Sequence, residues 1–186
     1  MTWLRWVAAG GALLAALAVS GYLALPSLAR FAGGIEPVLP ASAHVSLPTF
    51  GERGTNLLAY RYGESFTMTL PLVNDGLVPV TVTDVRLTDE PRPLAEVTAV
   101  TADDTALPVT VTAGETRRVE LTVRFGNCRY YTERETQEYS GAVVDGSVFG
   151  RELRTTAGFR HKLVAASPMI ASCPERTLRR DDDVRG

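Results

Sequence analysis

Two stretches of the sequence alternate between apolar and polar residues, and this pattern restricts the fold more than any other feature. From Ser65 to Val73 every second side chain is apolar, and the segment from Arg117 to Phe125 repeats the pattern. Successive side chains of a β-strand point to opposite faces, so each segment predicts a strand with one buried face. Beyond residue 43, no stretch of useful length has the apolar spacing of an amphipathic helix. The sequence therefore predicts an all-β domain.

Turn-forming residues divide the rest of the domain into short segments of strand-like composition. Asn74-Asp75-Gly76 predicts a hairpin that leads into a return strand, because Asp-Gly tolerates positive φ angles. In the return strand the apolar residues change phase, and a β-bulge near Asp84 would reconcile its two halves. The predicted strands, beginning with the return strand, are Val78 to Leu87, Leu94 to Thr101, Leu107 to Val111, Ala142 to Phe149 and Glu152 to Leu163.

The connections between these strands are predicted from glycines and charged residues. Asp103-Asp104-Thr105 is expected to form a turn and not a catalytic carboxylate pair, since neighbouring residues point apart. Ala113-Gly114-Glu115 is a second turn, and Gly150 is expected to turn the last hairpin, with Asp145-Gly146 as the rival position. The polar stretch from Asn127 to Ser140 predicts a long connection. These features together predict an antiparallel β-sandwich of about seven to eight strands.

Two local patterns resemble those of a known fold. The run from Leu72 to Val82 resembles the B–C hairpin of bacterial immunoglobulin-like modules. The run from Val111 to Val119 is similar to the turn in which a Gly-Glu corner leads these modules into a long strand, although Ala113 stands where they usually carry proline. The resemblance implies an immunoglobulin-like fold for the predicted sandwich.

Three further features extend this resemblance to a group of proteins. The run from Phe125 to Cys128, the turn at Gly150 and the ending Cys173-Pro174 resemble uncharacterised membrane-anchored proteins of high-GC Gram-positive bacteria. The similarity covers roughly residues 57–174. It implies a domain held outside the cytoplasm, and it transfers no activity and no site, because a shared fold does not define a function.

The N-terminal segment from Trp6 to Ala29 contains no charged residue, and it is long enough to cross a membrane as a helix. A helix of about 20 apolar residues spans the hydrocarbon core of a bilayer. Trp3 and Trp6 at one end and Tyr22 near the other suit the two membrane–water interfaces. We therefore expect residues 1–29 to hold one transmembrane helix that anchors the chain in the cell membrane.

A cleaved signal peptide is the alternative interpretation of this segment. Val7 to Val19 has the length of a signal-peptide core, and small residues at Ala18-Val19-Ser20 and Ser27-Leu28-Ala29 offer cleavage positions. Cleavage would make the protein secreted. In both cases the domain lies outside the cytoplasm, and Arg5 beside the α-amino group favours a cytoplasmic N-terminus if the segment is retained.

The remaining chain divides into three parts. Residues 30–43 are rich in glycine and proline and predict an extended linker. Residues 44–174 form the predicted sandwich. Residues 175–186 mix acids with arginines and predict a disordered polar tail.

Few residues in the sequence suggest catalysis or cofactor binding. No nucleophile elbow, HExxH motif, phosphate-binding loop or dinucleotide fingerprint occurs. His44 and His161 are the two histidines and are interpreted as surface residues, and Asp181-Asp182-Asp183 as a solvated part of the tail. The net charge of −2 does not suit nucleic-acid binding. We predict no cofactor, metal or small-molecule substrate, and a protein that is not an enzyme.

A tyrosine- and arginine-rich loop is the candidate site for a protein or cell-envelope partner. Tyrosine and arginine are enriched at binding hot spots, and loops at the ends of sandwiches commonly carry binding sites. The alternative is that Tyr130 and Tyr131 cap the end of the core and the charged residues solvate the loop. The candidate residues are Arg129, Tyr130, Tyr131, Arg134 and Tyr139.

The sequence supports three functional hypotheses that it does not separate. The first is a membrane-anchored extracytoplasmic module for interaction with a protein or the cell envelope. The second is a structural accessory subunit of a larger membrane complex, in which small residues such as Gly10-Gly11 and Gly21 let the anchor pack against other helices. The third is an exported protein of unknown activity.

Cys128 and Cys173, the only cysteines, are predicted to form a disulfide, because an exported domain without metal-type cysteine spacing usually pairs them. The bond would close a loop of about 45 residues and contribute about 4 kcal/mol in the chain-entropy account. Thiol labelling of denatured, unreduced protein should find no free cysteine. Labelling of both cysteines under these conditions would show two buried thiols instead.

Overall fold

The computed structural model describes Ala16 and residues 18–41, 44–47, 54–59, 63–90, 93–126 and 136–166. Within them, residues 18–24 are α-helical and lead into a 3₁₀ helix, η1 (Leu25–Leu28), and ten strands follow. The strands are β1 (His44–Leu47), β2 (Thr55–Ala59), β3 (Ser65–Val73), β4 (Val80–Arg86), β5 (Ala95–Ala102), β6 (Thr105–Ala106), β7 (Val109–Val111), β8 (Thr116–Phe125), β9 (Thr136–Val148) and β10 (Arg151–Ala166).

In the described part of the chain, no helix is both long enough and apolar enough to cross a bilayer. Most of the predicted transmembrane segment, residues 1–15 and 17, lies outside the described residues. The membrane anchor therefore stays a prediction.

The strands form two sheets that enclose a common core. The larger sheet has the order β1-β2-β10-β9-β4-β7, and the smaller has the order β3-β8-β5-β6. Neighbouring strands are antiparallel except β2 and β10, which run parallel. Buried apolar side chains of both sheets join in one cluster. The predicted all-β, sandwich-like architecture is confirmed.

The two alternating segments of the sequence are the strands β3 and β8, which pair along their whole length. Ser65 lies opposite Arg124, and Val73 lies opposite Thr116. Because the side-chain period is two, both strands bury one complete face. The buried residues are Phe66, Met68, Leu70 and Leu72 of β3, and Val119, Leu121, Val123 and Phe125 of β8.

The predicted β-bulge near Asp84 is confirmed. The register of β4 against β9 shifts between Val82 and Asp84. The extra residue lets Val82 and Val85, which are out of phase in the sequence, both point into the core, where each is fully buried.

The turns at Asp103-Asp104 and Ala113-Gly114-Glu115 are also confirmed. Asp103 and Asp104 have φ angles of +46° and +63° and join β5 to β6, and Gly114 has a φ of +76° between β7 and β8. The last hairpin turns at Phe149-Gly150, where Val148 pairs with Arg151. The rival turn position, Asp145-Gly146, lies inside β9.

The predicted connection from Asn127 to Ser140 is wrong in its last part, because β9 begins at Thr136. Residues 127–135 lie outside the described residues. From Thr136 onward the chain pairs with the C-terminal half of β10. The alternation of this segment is interrupted at Gly141-Ala142, where two consecutive residues are buried, so a period-two pattern does not reveal the strand.

The predicted hairpin at Asn74-Asp75-Gly76 is wrong, because β3 and β4 belong to different sheets. Residues 74–79 instead carry the chain across the end of the sandwich. The fully buried side chain of Asn74 shapes this crossing: its amide nitrogen donates to the carbonyl oxygens of Val78 at 2.9 Å and Val111 at 3.0 Å. Its amide oxygen accepts from the N–H of Gly76 at 3.0 Å.

The backbone of Asn74 makes two further bonds, to the turn between β7 and β8. Its N–H donates to the carbonyl of Glu115 at 3.0 Å, and its carbonyl accepts from the N–H of Gly114 at 2.7 Å. A buried polar side chain is stable only when its hydrogen-bonding groups have partners, and Asn74 meets that condition. It thereby joins β3, the crossing and the turn before β8.

The predicted linker, residues 30–43, is wrong for its first part, because residues 31–38 pair with both sheets. Phe31 pairs with Asn74, Ile35 with Phe159 of β10, and Val38 with Thr69 of β3. Phe31 and Ile35 belong to the buried core. Apolar residues at these positions give the segment more to gain from packing than from remaining extended in water.

We predict that Asn74→Ala lowers the free energy of unfolding by about 3 kcal/mol, because it removes the three hydrogen bonds of the side chain, including the buried bond to the Val111 carbonyl. Asp75→Ala is the control, since Asp75 lies in the same crossing but only forms a surface ion pair with Arg30 at 3.3 Å. Its effect should stay below about 1 kcal/mol. Urea unfolding followed by circular dichroism measures both, and equal effects would show that the Asn74 bonds do not hold the crossing.

Candidate functional site

A groove of about 510 Å³ opens along one side of the sandwich, between β4 of the larger sheet and β5 of the smaller. Its two walls are residues 83–88 and residues 95–100. Glu90 and Pro93 lie at one end, and Ala106 and Leu107 at the other. The groove is thus bounded by backbone from both sheets.

Both walls of the groove are sheet edges. β7 pairs with β4 only from Val80 to Val82, and β6 pairs with β5 only at Thr101 and Ala102. Among the described residues, no strand pairs with the groove side of Thr83–Arg86 or Ala95–Val100. An unpaired edge presents N–H and carbonyl groups that can bond to another extended chain.

The groove has an apolar floor and a polar rim. The floor includes the buried side chains of Val85 and Leu87 and the partly buried Val97 and Val100. The rim carries small hydroxyl and carboxylate side chains, which are Thr83, Thr88, Glu90, Glu96 and Thr98. An extended segment lying here would place alternate side chains on the floor and in solvent.

One end of the groove is closed by hydrogen bonds from β9. The side-chain oxygen of Gln137 accepts from the Leu94 N–H at 2.6 Å, and its nitrogen donates to Glu90 at 2.6 Å. The hydroxyl of Tyr139 donates to the same Gln137 oxygen at 2.7 Å and accepts from the Ala95 N–H at 3.2 Å. These bonds fix both sides of the crossing from β4 to β5.

Tyr139 therefore does not have the predicted role of a partner-contact residue. It lies in β9 and is only 2% exposed. Its ring belongs to the core, and its hydroxyl holds the start of β5. Burial with a bonded hydroxyl is the usual environment of a core tyrosine.

A network of five charged side chains lies beside the groove, on the face of the larger sheet away from the core. Asp84, Asp145 and Arg154 are direct neighbours on β4, β9 and β10. Arg86 bonds to Asp84 at 2.8 Å, to Asp89 at 2.6 Å and to Asp145, and Arg154 bonds to Asp145 at 2.7 Å. The two facing aspartates would repel each other, and the arginines remove that repulsion.

Within the network, Arg86 and Asp145 stay charged over a wider pH range than ordinary side chains of their types. Burial lowers the pKa of Arg86, but its hydrogen bonds with Asp89, Asp145 and Asp84 outweigh this and raise it above the ordinary value. The hydrogen bond from Arg154 lowers the pKa of Asp145, burial opposes it, and the bond from Arg86 adds to the lowering. Asp84 and Arg86 also line the groove, so the network stiffens one of its walls.

His161 differs from the predicted free surface histidine. Its Nδ1 lies 2.9 Å from Oε2 of Glu36, and the other carboxylate oxygen, Oε1, accepts from the Asn56 side chain at 3.1 Å. Burial raises the pKa of Glu36, but the hydrogen bonds with His161 and Asn56 together lower it by more, so the pKa lies below its ordinary value. The contact ties the N-terminal segment to β10 and has a structural role.

Several predicted site residues lie outside the described part of the chain. They are Cys128, Arg129, Tyr130, Tyr131, Arg134 and Cys173, so the disulfide and the remainder of the partner loop stay predictions. His44 is the first residue of β1. Within the described ranges, no group of three or more histidine, cysteine, aspartate or glutamate side chains is placed to hold a metal ion.

The groove was not predicted from the sequence. The phase change between Val82 and Val85 indicates the bulge that shapes one wall, but periodicity does not show which strand edges remain unpaired. That depends on β7 and β6 being too short to cover β4 and β5. The close spacing of Asp84, Arg86 and Asp89 in the sequence is a weak indication of the charged network. Their partners on β9 and β10 are distant in sequence and could not be predicted.

No protein-family model matches the sequence, and no curated protein matches it. Solved structures that align with it include the VesB protease of Vibrio cholerae and the secreted serine protease VesC of the same organism. Each has a TM-score of 0.37 and 12% sequence identity, and each alignment covers 78% of this chain. The chain spans only 34% of the VesB chain and 24% of the VesC chain. Similarity at this level transfers neither fold nor activity.

Asp145 should make the stability of the fold depend on pH. Its pKa in the folded protein lies below the ordinary value of 3.8, so the unfolded chain binds more protons between the two values. The stabilisation from ionised Asp145 is therefore fully present above the pKa of this group in the unfolded chain. It is lost as the pH falls through the lower pKa of Asp145 in the folded protein. Asp145→Asn should make the acid-induced fall in unfolding free energy shallower.

Arg154→Gln gives an independent check, because it removes the strongest cause of the lowered Asp145 pKa while leaving the carboxylate in place. It should also make the fall shallower. Urea unfolding at a series of pH values from neutral downward measures both variants. Unchanged slopes in both would show that the network does not contribute to acid sensitivity.

Proposed function

We propose that this chain is a non-enzymatic, membrane-anchored extracytoplasmic module that binds an extended segment of a protein partner along the groove between β4 and β5. The observation that carries the proposal is the unpaired edge of β5 from Glu96 to Val100, which borders the groove. The partner segment would add a strand to the smaller sheet.

The strand order supports an immunoglobulin-like sandwich. In that fold one sheet has the order A-B-E-D and the other C-F-G, and the chain crosses between sheets after strands B, C and E. Here β3-β8-β5 matches B-E-D, and β4-β9-β10 matches C-F-G. The chain changes sheets after β3, β4 and β8, as in that fold, and it also does so after β2 and on entering and leaving the short strand β7. The resemblance of residues 72–82 to a B–C connection agrees with this assignment.

Strand addition suits β5 better than β4. Ala95 already donates its N–H to Tyr139, so the free edge of β5 covers the five residues 96–100, about 17 Å of extended chain, whereas Thr83–Arg86 offers about 13 Å. Thr98 and Ala99 on β5 are small and exposed, so they leave room for an added strand. The charged network that lies beside the edge of β4 discourages pairing there.

The charge of the groove favours a partner segment with a basic residue. Asp84, Glu90, Glu96 and Arg86 line it, so carboxylates outnumber guanidiniums. Backbone hydrogen bonds would supply affinity, while the floor and these carboxylates would select the side chains. A binding module also agrees with the sequence, in which no catalytic motif occurs.

A structural accessory subunit of a larger membrane complex is the second candidate. The observation that favours it is the close attachment of the N-terminal segment to the domain. Leu25 and Ala29 pack against the core, and residues 31–38 pair with both sheets. A domain fixed so closely to its anchor would hold a partner at a defined height above the bilayer. The same packing supports retention of the segment over its removal as a signal peptide.

The proposal predicts position-dependent crosslinking to a partner. The photo-crosslinking amino acid p-benzoylphenylalanine, placed at Thr83 on the groove rim of the full chain in its native membranes, should give a covalent adduct. Thr67 is the matched control, since it is an exposed threonine on the outer face of β3. An adduct at Thr67 as strong as at Thr83, or none at Thr83, would contradict the proposal.

A proline on the free edge tests whether the adduct depends on strand addition. Thr98 lies at the irregularity in the pairing of β5 with β8, between Val97 and Ala99, where a proline does not remove a paired residue. Thr98→Pro should abolish the adduct at Thr83 while leaving the circular dichroism of the domain unchanged. An undiminished adduct would show that the partner does not pair with β5.

A further inference from the structure

We infer that the end of the sandwich beside the N-terminal segment rests on the bilayer surface, with Leu77 and Phe149 inserted among the lipid headgroups. The inference depends on the proposed membrane anchor and adds a second membrane contact, made by the folded domain itself. The occupant of this apolar end is therefore lipid and not another protein.

The exposed large hydrophobic side chains of the described residues are concentrated at this end. Most lie in the N-terminal segment or in the loops that adjoin it, and a single one, Val38, lies further along the domain. These side chains are Val19, Tyr22, Leu23, Leu28, Val38, Leu77 and Phe149. Leu77 is 79% exposed and Phe149 is 62% exposed, which is unfavourable in water and favourable at a membrane interface.

Backbone hydrogen bonds fix Leu77 close to the apolar segment. Its N–H donates to the carbonyl of Leu28 at 2.9 Å, and the Gly76 N–H donates to the carbonyl of Arg30 at 3.1 Å. A Cβ atom at Gly76 would lie 2.5 Å from the Leu28 carbonyl oxygen, so this approach requires glycine.

The same bonds set the depth of Leu77 relative to the bilayer. The 3₁₀ helix η1 separates Leu28 from the end of the α-helical residues at Ala24, and four residues of 3₁₀ helix rise about 8 Å. The headgroup region on each side of a bilayer is about 5 to 8 Å thick. If the apolar helix leaves the hydrocarbon near Ala24, Leu77 lies at headgroup depth.

Phe149 lies at the same end and in a conformation that an aromatic residue rarely adopts. Thr81 at the start of β4 pairs with Ser147 near the end of β9, so the loops that hold Leu77 and Phe149 are neighbours. Phe149 has a φ of +48° in a two-residue hairpin turn, where asparagine, aspartate and glycine are preferred. An exposed phenylalanine at a strained turn position points to a function for the ring.

The polar groups around these two residues also suit a membrane interface. The guanidinium of Arg151 lies 5.4 Å from the ring centre of Tyr22 and donates to the Tyr22 carbonyl at 3.1 Å. Two carboxylates at this end have ion-pair partners within the domain, Asp75 with Arg30 and Glu115 with an arginine of β8, and Glu152 is exposed beside the Phe149 turn. Tyrosine and arginine are residues that membrane interfaces favour.

Depth-dependent fluorescence quenching tests the inference. Trp3→Phe and Trp6→Phe first remove both native tryptophans from the full chain. Three variants of this chain then each carry one reporter, Leu77→Trp, Phe149→Trp or Val38→Trp. Each variant is reconstituted in phosphatidylcholine–phosphatidylglycerol vesicles. Lipids brominated near the headgroup should quench the first two reporters and leave the third unquenched. Val38 is the matched control because it is equally apolar and 65% exposed.

The turn variant Phe149→Asn gives a second measurement, because asparagine before Gly150 is favoured in this turn. In the Leu77→Trp background it should raise the thermal unfolding midpoint and reduce the quenching. A rise in midpoint with undiminished quenching would overturn the role of the phenylalanine ring.

Flotation of the vesicles separates the failure of this inference from failure of the anchor. If the chain does not float with the lipid, the membrane anchor is wrong and the docked end is wrong with it. If the chain floats but the reporters at positions 77 and 149 are not quenched, the anchor stands and the docked end is overturned. Equal quenching of the Val38→Trp reporter would indicate general adsorption and would also overturn it.

Discussion

The arrangement of the sandwich depends on one buried carboxamide. Asn74 stands where the chain leaves β3 for the other sheet, and its side chain bonds to both sides of that crossing. Its backbone holds the turn that leads into β8. An apolar residue here would leave backbone groups of the crossing buried without partners, which is costlier than the loss of any surface contact. The stacking of the two sheets at this end therefore depends on a single polar side chain.

The groove exists because two strands at the sheet edges are short. β6 covers only the last two residues of β5, and β7 covers only the first three residues of β4. On the groove side, the rest of each edge is held in place by side-chain bonds and not by a further strand. Tyr139 and Gln137 fix the start of β5, and the Arg86 network fixes β4. An edge that stays extended without a partner loses little freedom when one binds.

The sequence predicted the elements whose signals are local. The alternation in β3 and β8, the bulge near Asp84 and the turns at Asp103-Asp104 and Gly150 all depend on side-chain period or backbone φ preferences. What it failed to predict depends on long-range pairing. Asn74-Asp75-Gly76 has the composition of a hairpin turn. Its asparagine instead bonds to Val111 of β7 and to the turn before β8, which are distant in sequence.

The N-terminal segment and the site illustrate the same limit. Glycines and prolines in residues 30–43 indicate a linker, and only the two sheets together provide the surface that buries Phe31 and Ile35. Tyr139 appeared to belong to a polar loop because the pairing of residues 136–140 with β10 has no local signature. The open edges are a property of the assembled sheets, so no stretch of sequence alone contains them.

The parallel pairing near the two ends of the domain has a mechanical consequence. Ile35 and β2, close to the N-terminal side, both run parallel to β10, close to the C-terminal side. A force that pulls the two termini apart would load these hydrogen bonds along the strand direction, so they must break together. Antiparallel strands pulled from one end would instead separate one bond at a time. If the N-terminal segment anchors the chain as proposed, this pairing lets the domain resist tension applied from its C-terminal side.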